Sequence, residues 1–210
     1  MKIGVFGGSF DPIHFGHLIL AEQAREQANL DEFRFVPTAR HPLKTDRDLT
    51  SFDDRKAMLE IAIAEQNAFS VDTIENQRTG MSYTAETLDE FARRDPGAEL
   101  FLVLGGDCVL ELPSWREPQR IVKRATLLAK ARPGSPIPTI ETLRASLQLP
   151  ENMPLRLVEI DVPLIDLSSR DIRRRVASGQ SIRFMLPAGV EQYIHRHGLY
   201  NQSHTSSKSR

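Results

Sequence analysis

The chain has 210 residues, of which 40% are hydrophobic and 26% charged, and its formal net charge is −1. That length predicts one domain with a substantial core over residues 1–200, followed by a polar, disordered tail over residues 201–210. The near-neutral charge excludes a general attraction to nucleic acid or anionic membranes, so neither is an expected partner. Any polyanion must be bound by a local cluster of residues.

Two further features of the sequence concern the compartment of the protein. The single cysteine, Cys108, excludes an intramolecular disulfide and a zinc site built from several cysteines. The N-terminus enters a strand pattern at once instead of a signal peptide, and no apolar run approaches the roughly 18 residues that span a bilayer. These features predict a cytoplasmic location.

Short apolar runs alternate with helical periodicity along the chain. The apolar runs predict strands over residues 2–6, 33–36, 69–71, 100–104, 125–130 and 155–160. Helical patterns cover residues 17–28, 52–64, 83–94, 119–123, 139–147, 169–178 and 188–197. This alternation predicts an α/β fold with a doubly wound parallel sheet, in which ligands bind beyond the carboxyl ends of the strands.

Residues 8–17 lie where the first predicted strand ends and the first helix begins, and they contain Gly8, Gly16, His14 and His17. Glycine lets the backbone approach a bulky anion, and the first turn of a helix offers unpaired N–H groups. Imidazoles three residues apart share one helix face. The turn therefore predicts a nucleotide phosphate site, although neither of the two most common phosphate-loop patterns is present.

The run from His14 to His17 resembles the His-x-Gly-His signature of nucleotidyltransferases. The preceding Gly-Ser-Phe-Asp-Pro and later segments are most similar to the nicotinate mononucleotide adenylyltransferase family. This resemblance implies a Rossmann-like nucleotidyltransferase fold in which His14 and His17 contact the ATP triphosphate and stabilise charge at the attacked phosphorus. It also implies ATP contacts from Gly7, Gly8, Ser9 and Phe10. The alternative roles are helix capping and core packing, while a zinc site lacks a third ligand at suitable spacing.

Residues 167–173 resemble a second family motif, Ile-Ser-Ser-Thr-x-Ile-Arg. Ser168 or Ser169 is a natural N-cap, and a helix start carrying hydroxyl groups and Arg173 predicts a second anion site. The resemblance implies ATP contacts from Ser168, Ser169 and Arg173, with a catalytic role for Arg173. Arg170 replaces the family's threonine, which leaves its role open. The alternative is a capped helix with a solvated basic face over residues 173–175.

Residues 36–44 resemble the family segment that ends in Pro-Pro-His-Lys, and Lys44 aligns with its lysine. The resemblance implies that Lys44 contributes a positive charge to catalysis and to substrate binding. The alternative is a solvated surface lysine. Leu43 replaces the family's histidine and His41 replaces a proline, so no role is assigned to His41.

Two further segments resemble the family elements around the pyridine nucleotide. Residues 82–88 match Ser-Tyr-Thr-x-x-Thr-Leu, and residues 105–115 match Gly-x-Asp followed by Leu-Pro-x-Trp. The resemblance implies that Trp115 stacks on the nicotinate ring, although a lone tryptophan is more often packing. The remaining implied contacts are a ribose hydroxyl at Asp107, the substrate carboxylate near Tyr83, Thr84 and Arg116, and ATP at Gly105 and Asp107.

The reaction implied by the resemblance is adenylyl transfer from ATP to nicotinate mononucleotide, which gives deamido-NAD and pyrophosphate in NAD biosynthesis. Mg²⁺ accompanies ATP, and no metal site is expected in the protein itself. One alternative is a sister adenylyltransferase for nicotinamide mononucleotide or phosphopantetheine. Another is a non-catalytic regulator or RNA-binding protein that uses residues 173–175 and Arg183. The sequence does not decide between acid and amide substrates, and it carries no signal for an oligomeric state.

Overall fold

The structure is a computed structural model that describes residues 1–39, 49–78, 80–131 and 136–201. Within these ranges, parallel strands form a six-stranded sheet with the order β3-β2-β1-β4-β5-β6. The strands are β1 (Lys2–Gly8), β2 (Glu32–Pro37), β3 (Phe69–Val71), β4 (Glu99–Gly105), β5 (Ala125–Lys130) and β6 (Leu157–Glu159). The predicted doubly wound parallel sheet is confirmed, although β6 covers only part of the predicted strand.

Helices flank the sheet on both faces, because each parallel pair of strands needs a crossover connection. They are α1 (Phe15–Ala28), α2 (Phe52–Ile63), α3 (Thr84–Arg94), α4 (Gly106–Glu111), α5 (Pro118–Arg124), α6 (Ile140–Ser146), α7 (Ser169–Ala177) and α8 (Ala188–Arg196). Seven of these confirm predicted helices. The short helix α4 and the 3₁₀ turns Ile74–Gln77 and Leu112–Ser114 were not predicted, since they are too short to show a periodic pattern.

The core lies on both faces of the sheet, as the near-continuous apolar strands predict. Successive side chains of a strand point to opposite faces. In β4, Phe101 and Val103 therefore join one buried cluster with α1, α2, α7 and α8, while Leu100, Leu102 and Leu104 join the other. Because the central strands are buried on both faces, their positions are fixed, and the loops that follow them start from fixed points.

The strand order reverses between β1 and β4, which are hydrogen-bonded neighbours in the middle of the sheet. A crevice forms at such a switch point because consecutive connections leave in opposite directions. The turn after β1 and the turn after β4 both open there. Among the residues that the structure describes, no helix combines the length and apolar composition needed to cross a membrane.

Candidate active site

The two histidines of the β1–α1 turn lie against each other. His14 is the N-cap of α1, and its backbone N–H donates a hydrogen bond to Nδ1 of His17 at 3.3 Å. The two rings stack with centroids 3.7 Å apart and an angle of 27° between their planes. A neutral His17 whose Nδ1 accepts this bond carries its proton on Nε2. The predicted pairing of the imidazoles is therefore present, and it places a ring N–H donor at the switch point.

Aromatic packing holds His17 in place. The ring of Phe10 meets the His17 ring edge to face with centroids 5.2 Å apart, and Phe6 lies 6.0 Å away. Phe10 is only 2% exposed although its φ of 46° is one that side chains with a Cβ rarely adopt. A Cβ added to Gly8 would meet the Phe10 ring at 3.0 Å, so any larger residue there would have to displace this buried ring by a few tenths of an ångström.

The second predicted anion motif lies against the first. Ser168 caps α7 by accepting a hydrogen bond from the N–H of Asp171 at 3.1 Å, as predicted for this pair of serines. The Ser169 hydroxyl donates to the carbonyl oxygen of Pro12 at 2.8 Å, and Arg173 donates from Nη1 to that of Asp11 at 2.6 Å. These contacts join segments that are about 160 residues apart in the chain.

The basic run on α7 divides into residues with different surroundings. Arg173 is 33% exposed and faces the β1–α1 turn, where its Nη1 also lies 3.9 Å from the Asp11 carboxylate. Arg174 is 74% exposed and pairs with Asp171 on its own helix. Arg170, which replaces the family's threonine, is exposed. The solvated-face interpretation therefore fits Arg174 and does not fit Arg173.

Arg55 on α2 connects three segments at the edge of this site and was not predicted. Its guanidinium donates to the carbonyl oxygens of Ser9 at 2.8 Å, Thr38 at 2.9 Å and Thr50 at 3.0 Å. The side chain is 1% exposed, and burial lowers the pKa of Arg55 while the charge of Asp11 opposes that shift. An arginine on the apolar face of a predicted helix was the sequence signal for this role.

The predicted pyridine-nucleotide residues lie in two segments that touch. Tyr83 is the N-cap of α3, and the guanidinium of Arg116 lies 4.4 Å from the centre of its ring. Trp115 follows the second 3₁₀ turn, where its backbone N–H donates a hydrogen bond to the carbonyl oxygen of Leu112 at 3.0 Å. Trp115 is half-buried and packs against the core beside β4. Part of the side chain therefore stays accessible, while the rest serves in packing.

Gly105 and Asp107 stand where β4 passes into α4. Gly105 ends the strand and caps the helix, and Asp107 lies in the first turn of α4. A helix start at a strand end places both residues at the carboxyl edge of the sheet.

A buried carboxylate that was not predicted supports the segment before α3. Glu75 is 8% exposed and accepts a hydrogen bond from the Thr87 hydroxyl at 3.0 Å, while Arg78 donates to that hydroxyl at 2.6 Å. Burial raises the pKa of Glu75, and hydrogen bonds from Ser82 and Thr87 oppose the shift. The network ties the start of α3 to the preceding 3₁₀ turn and so fixes the position of the Tyr83 segment.

One predicted catalytic residue, Lys44, lies outside the described residues, as do Arg40, His41 and Leu43. In the part of the chain that the structure describes, no group of three or more histidine, cysteine, aspartate or glutamate side chains is placed to hold a metal ion.

The fold and the paired motifs define a class of protein, and comparison with known proteins agrees with it. Residues 5–175 match the family model described as cytidylyltransferase-like. A relative from Thermus thermophilus, named as a nicotinate-nucleotide adenylyltransferase, is 43% identical over 200 residues, which cover 95% of this chain and 100% of the relative. A relative of the same name from Thermomicrobium roseum is 40% identical over 95% of this chain and 91% of its own length. The chain is thus a nucleotidyltransferase.

Within that class, it belongs to the nicotinate-nucleotide adenylyltransferase family. The fold extends to distant members. The structure of the Plasmodium falciparum nicotinic acid mononucleotide adenylyltransferase complexed with NaAD superposes with a TM-score of 0.78 at 21% identity, covering 95% of this chain and 97% of that one.

Proposed function

We propose that this protein transfers the adenylyl group of ATP to nicotinate mononucleotide, which forms deamido-NAD and releases pyrophosphate. The observation that carries the proposal is the convergence of the stacked His14–His17 pair with Arg173 and Ser169 at the switch point of the sheet. Family membership and the names of the relatives support the choice of the pyridine substrate.

In the proposed reaction, an oxygen of the nicotinate mononucleotide phosphate attacks the α-phosphorus of ATP in line with the departing group. A new oxygen–phosphorus bond forms as the bond to the β-phosphate bridging oxygen breaks, and that oxygen leaves with the electron pair on pyrophosphate. The protein's task is to align the two phosphates and to stabilise the growing negative charge. We assign that stabilisation to His14, His17, Lys44 and Arg173.

The binding of the triphosphate in this proposal uses the helix start and the backbone of the first motif. The start of α1 places the positive end of its dipole at the β1–α1 turn, although the backbone N–H groups of Phe15 and His17 already donate to the carbonyl oxygens of Met185 and His14. The β1 end and the turn supply Gly7, Gly8, Ser9 and Phe10, and the α7 start supplies Ser168 and Ser169. Two helix starts of this kind suit a ligand with several negative charges.

Mg²⁺ is the divalent ion that we propose to accompany ATP. Mg²⁺ keeps several waters and is commonly held by substrate phosphates together with one or two carboxylates. The substrate phosphates and water would be its main ligands here, because the nearby Asp11 carboxylate is buried and both of its oxygens accept hydrogen bonds, from Tyr200 and from Thr50. When bound, the ion would shield the charge of the triphosphate.

The pyridine end of the substrate is proposed to lie between the Tyr83 and Trp115 segments. Trp115 offers a ring face for the nicotinate, and Asp107 accepts from a ribose hydroxyl. The N–H groups at the start of α3, near Thr84, and the positive charge of Arg116 favour a carboxylate over a neutral amide. The partners in this proposal are ATP and nicotinate mononucleotide. The single cysteine leaves no disulfide to form within the chain, which supports a reaction in the reducing cytoplasm.

The test of the proposed function is pyrophosphate release by the purified protein with ATP and Mg²⁺. Nicotinate mononucleotide, nicotinamide mononucleotide and phosphopantetheine are supplied in parallel. We expect the acid to react at least about tenfold faster than the amide, because a site built for a carboxylate loses a charged hydrogen bond with the amide. Reaction with the amide alone would overturn the substrate, and no reaction with any acceptor would overturn the proposed activity.

Replacing Trp115 by alanine is expected to raise KM for nicotinate mononucleotide about 10- to 100-fold, because stacking on an aromatic ring contributes about 1–3 kcal/mol. KM for ATP is expected to stay within about twofold, since the tryptophan lies at the pyridine end. Trp115→Phe is the matched variant and retains most of the affinity. If Trp115→Ala lowers the melting temperature but leaves both KM values unchanged, the tryptophan serves only in packing.

A further inference from the structure

The C-terminal end of the described chain returns to the first motif. Helix α8 ends at Arg196, and Gly198 with a φ of 61° reverses the direction of the backbone. Tyr200, two residues later, places its hydroxyl 2.7 Å from Oδ1 of Asp11, a contact across 189 residues of sequence. Tyr200 itself has a φ of 65°, which side chains with a Cβ rarely adopt. The rest of the structure therefore holds this residue in an unfavourable backbone conformation.

Asp11 is the point where several segments of the site meet. It is 1% exposed, and its second carboxylate oxygen, Oδ2, accepts the backbone N–H of Thr50 at 3.2 Å. Its own carbonyl oxygen accepts from Arg173, and the carbonyl of Pro12 accepts from Ser169. A shift of the Asp11 side chain would therefore move the two carbonyl oxygens that hold the second motif.

We propose that Tyr200 is a positioning residue for the phosphate site. Its hydroxyl fixes the Asp11–Pro12 turn, and the carbonyl oxygens of that turn fix Arg173 and Ser169. This inference rests on the proposed function for its kinetic consequence. Burial raises the pKa of Tyr200 far above its ordinary value, so that the phenol remains a hydrogen-bond donor throughout the working pH range. The residue does not touch the reacting atoms in this proposal and acts only through the turn.

The chain offers a matched control for the loss of one phenolic hydroxyl. Tyr193 on α8 also donates to a carboxylate, Oδ1 of Asp54 on α2, at 2.9 Å. That hydrogen bond joins two helices and involves neither Asp11 nor Pro12. Tyr200→Phe and Tyr193→Phe each remove a single oxygen atom and a hydrogen bond to a carboxylate. Tyr200→Phe also removes a hydrogen bond with Thr50, so the comparison tests the loss of support at the Asp11 turn as a whole.

The experiment measures kcat, KM and melting temperature for the two variants, together with ATP binding by calorimetry in the presence of Mg²⁺. Tyr200→Phe is expected to lower kcat about tenfold and to weaken ATP binding severalfold, with KM for nicotinate mononucleotide within about twofold. For Tyr193→Phe, kcat, ATP affinity and KM for nicotinate mononucleotide are each expected to stay within about twofold of the wild type, even if the melting temperatures of the two variants fall equally. Equal losses of rate and ATP affinity in both variants would overturn the proposal.

A double variant tests whether the effect passes through Arg173. If Tyr200 acts by positioning Arg173, Tyr200→Phe should lower kcat and ATP affinity much less in an Arg173→Ala background than in the wild type. The reason is that the effects of two coupled substitutions do not add. Full additivity would overturn the proposed route. Inactivity of the wild type with every acceptor would overturn the proposed function, and the ATP affinities of the two single variants would then decide the role of Tyr200 by themselves.

Discussion

Replacing His17 by glutamine is expected to lower kcat about 10²- to 10³-fold, which is the loss seen when one donor to a developing oxyanion is removed. The reason is that His17 carries a ring N–H donor at the turn where the α-phosphorus is proposed to be attacked. His17 also has a structural role, since its Nδ1 accepts the N–H of the N-cap residue His14. Glutamine at this third helical position supplies a similar acceptor, so the helix start is retained while the imidazole is lost.

His17→Ala and His197→Ala serve as comparison variants, and kcat and the melting temperature are measured for all three. His197 is stacked on Tyr193 with centroids 4.1 Å apart, so its removal costs a similar aromatic contact that includes no residue of the first motif. We expect His17→Ala to lose both rate and some stability, His17→Gln to lose mainly rate, and His197→Ala to keep the wild-type rate. A His17→Gln enzyme with near-normal turnover would limit His17 to capping and packing.

The elements and motifs that could be predicted from the sequence are those with a local pattern. The strands β1, β4 and β5 were found because a sheet covered on both faces needs continuous apolar runs. The β1–α1 turn and the capped start of α7 were found because each combines special residues within about ten positions. Their meeting in space was expected from the rule that ligands lie at the carboxyl ends of parallel strands.

The residues that hold these motifs together were not predicted, since their partners are distant in sequence. Arg55 donates hydrogen bonds to three backbone carbonyl oxygens. Glu75 accepts one from a threonine twelve residues away, and Tyr200 donates one to a carboxylate 189 residues away. A backbone carbonyl has no residue type, so no sequence pattern marks it as a partner. Two local features of the sequence depart from the expected pattern and could have indicated these residues. One is an arginine on the apolar face of a helix, and the other is a tyrosine after the last helix.

Replacing Arg173 by alanine is expected to lower kcat/KM for ATP about 10²-fold. A hydrogen bond to a charged group contributes about 1.5–3 kcal/mol, and each 1.36 kcal/mol corresponds to a tenfold change. The structure explains how this arginine is positioned for the role. Its Nη1 donates to the carbonyl oxygen of Asp11 at 2.6 Å, which holds the guanidinium beside the first motif. A third of the side chain is still exposed. A lysine there keeps the charge but not the planar geometry, so Arg173→Lys should recover only part of the loss.

The adjacent Arg174 provides the control, because it has the same charge on the same helix but is 74% exposed and pairs only with Asp171 among the contacts described for it. Exposed pairs of this kind contribute little to stability, so Arg174→Ala should keep kcat/KM within about twofold of the wild type. Equal losses in the two variants would mean that α7 contributes a general positive field to ATP binding. A selective loss in Arg173→Ala, with melting temperatures that match, would instead place the function of this helix in the one guanidinium that reaches the β1–α1 turn.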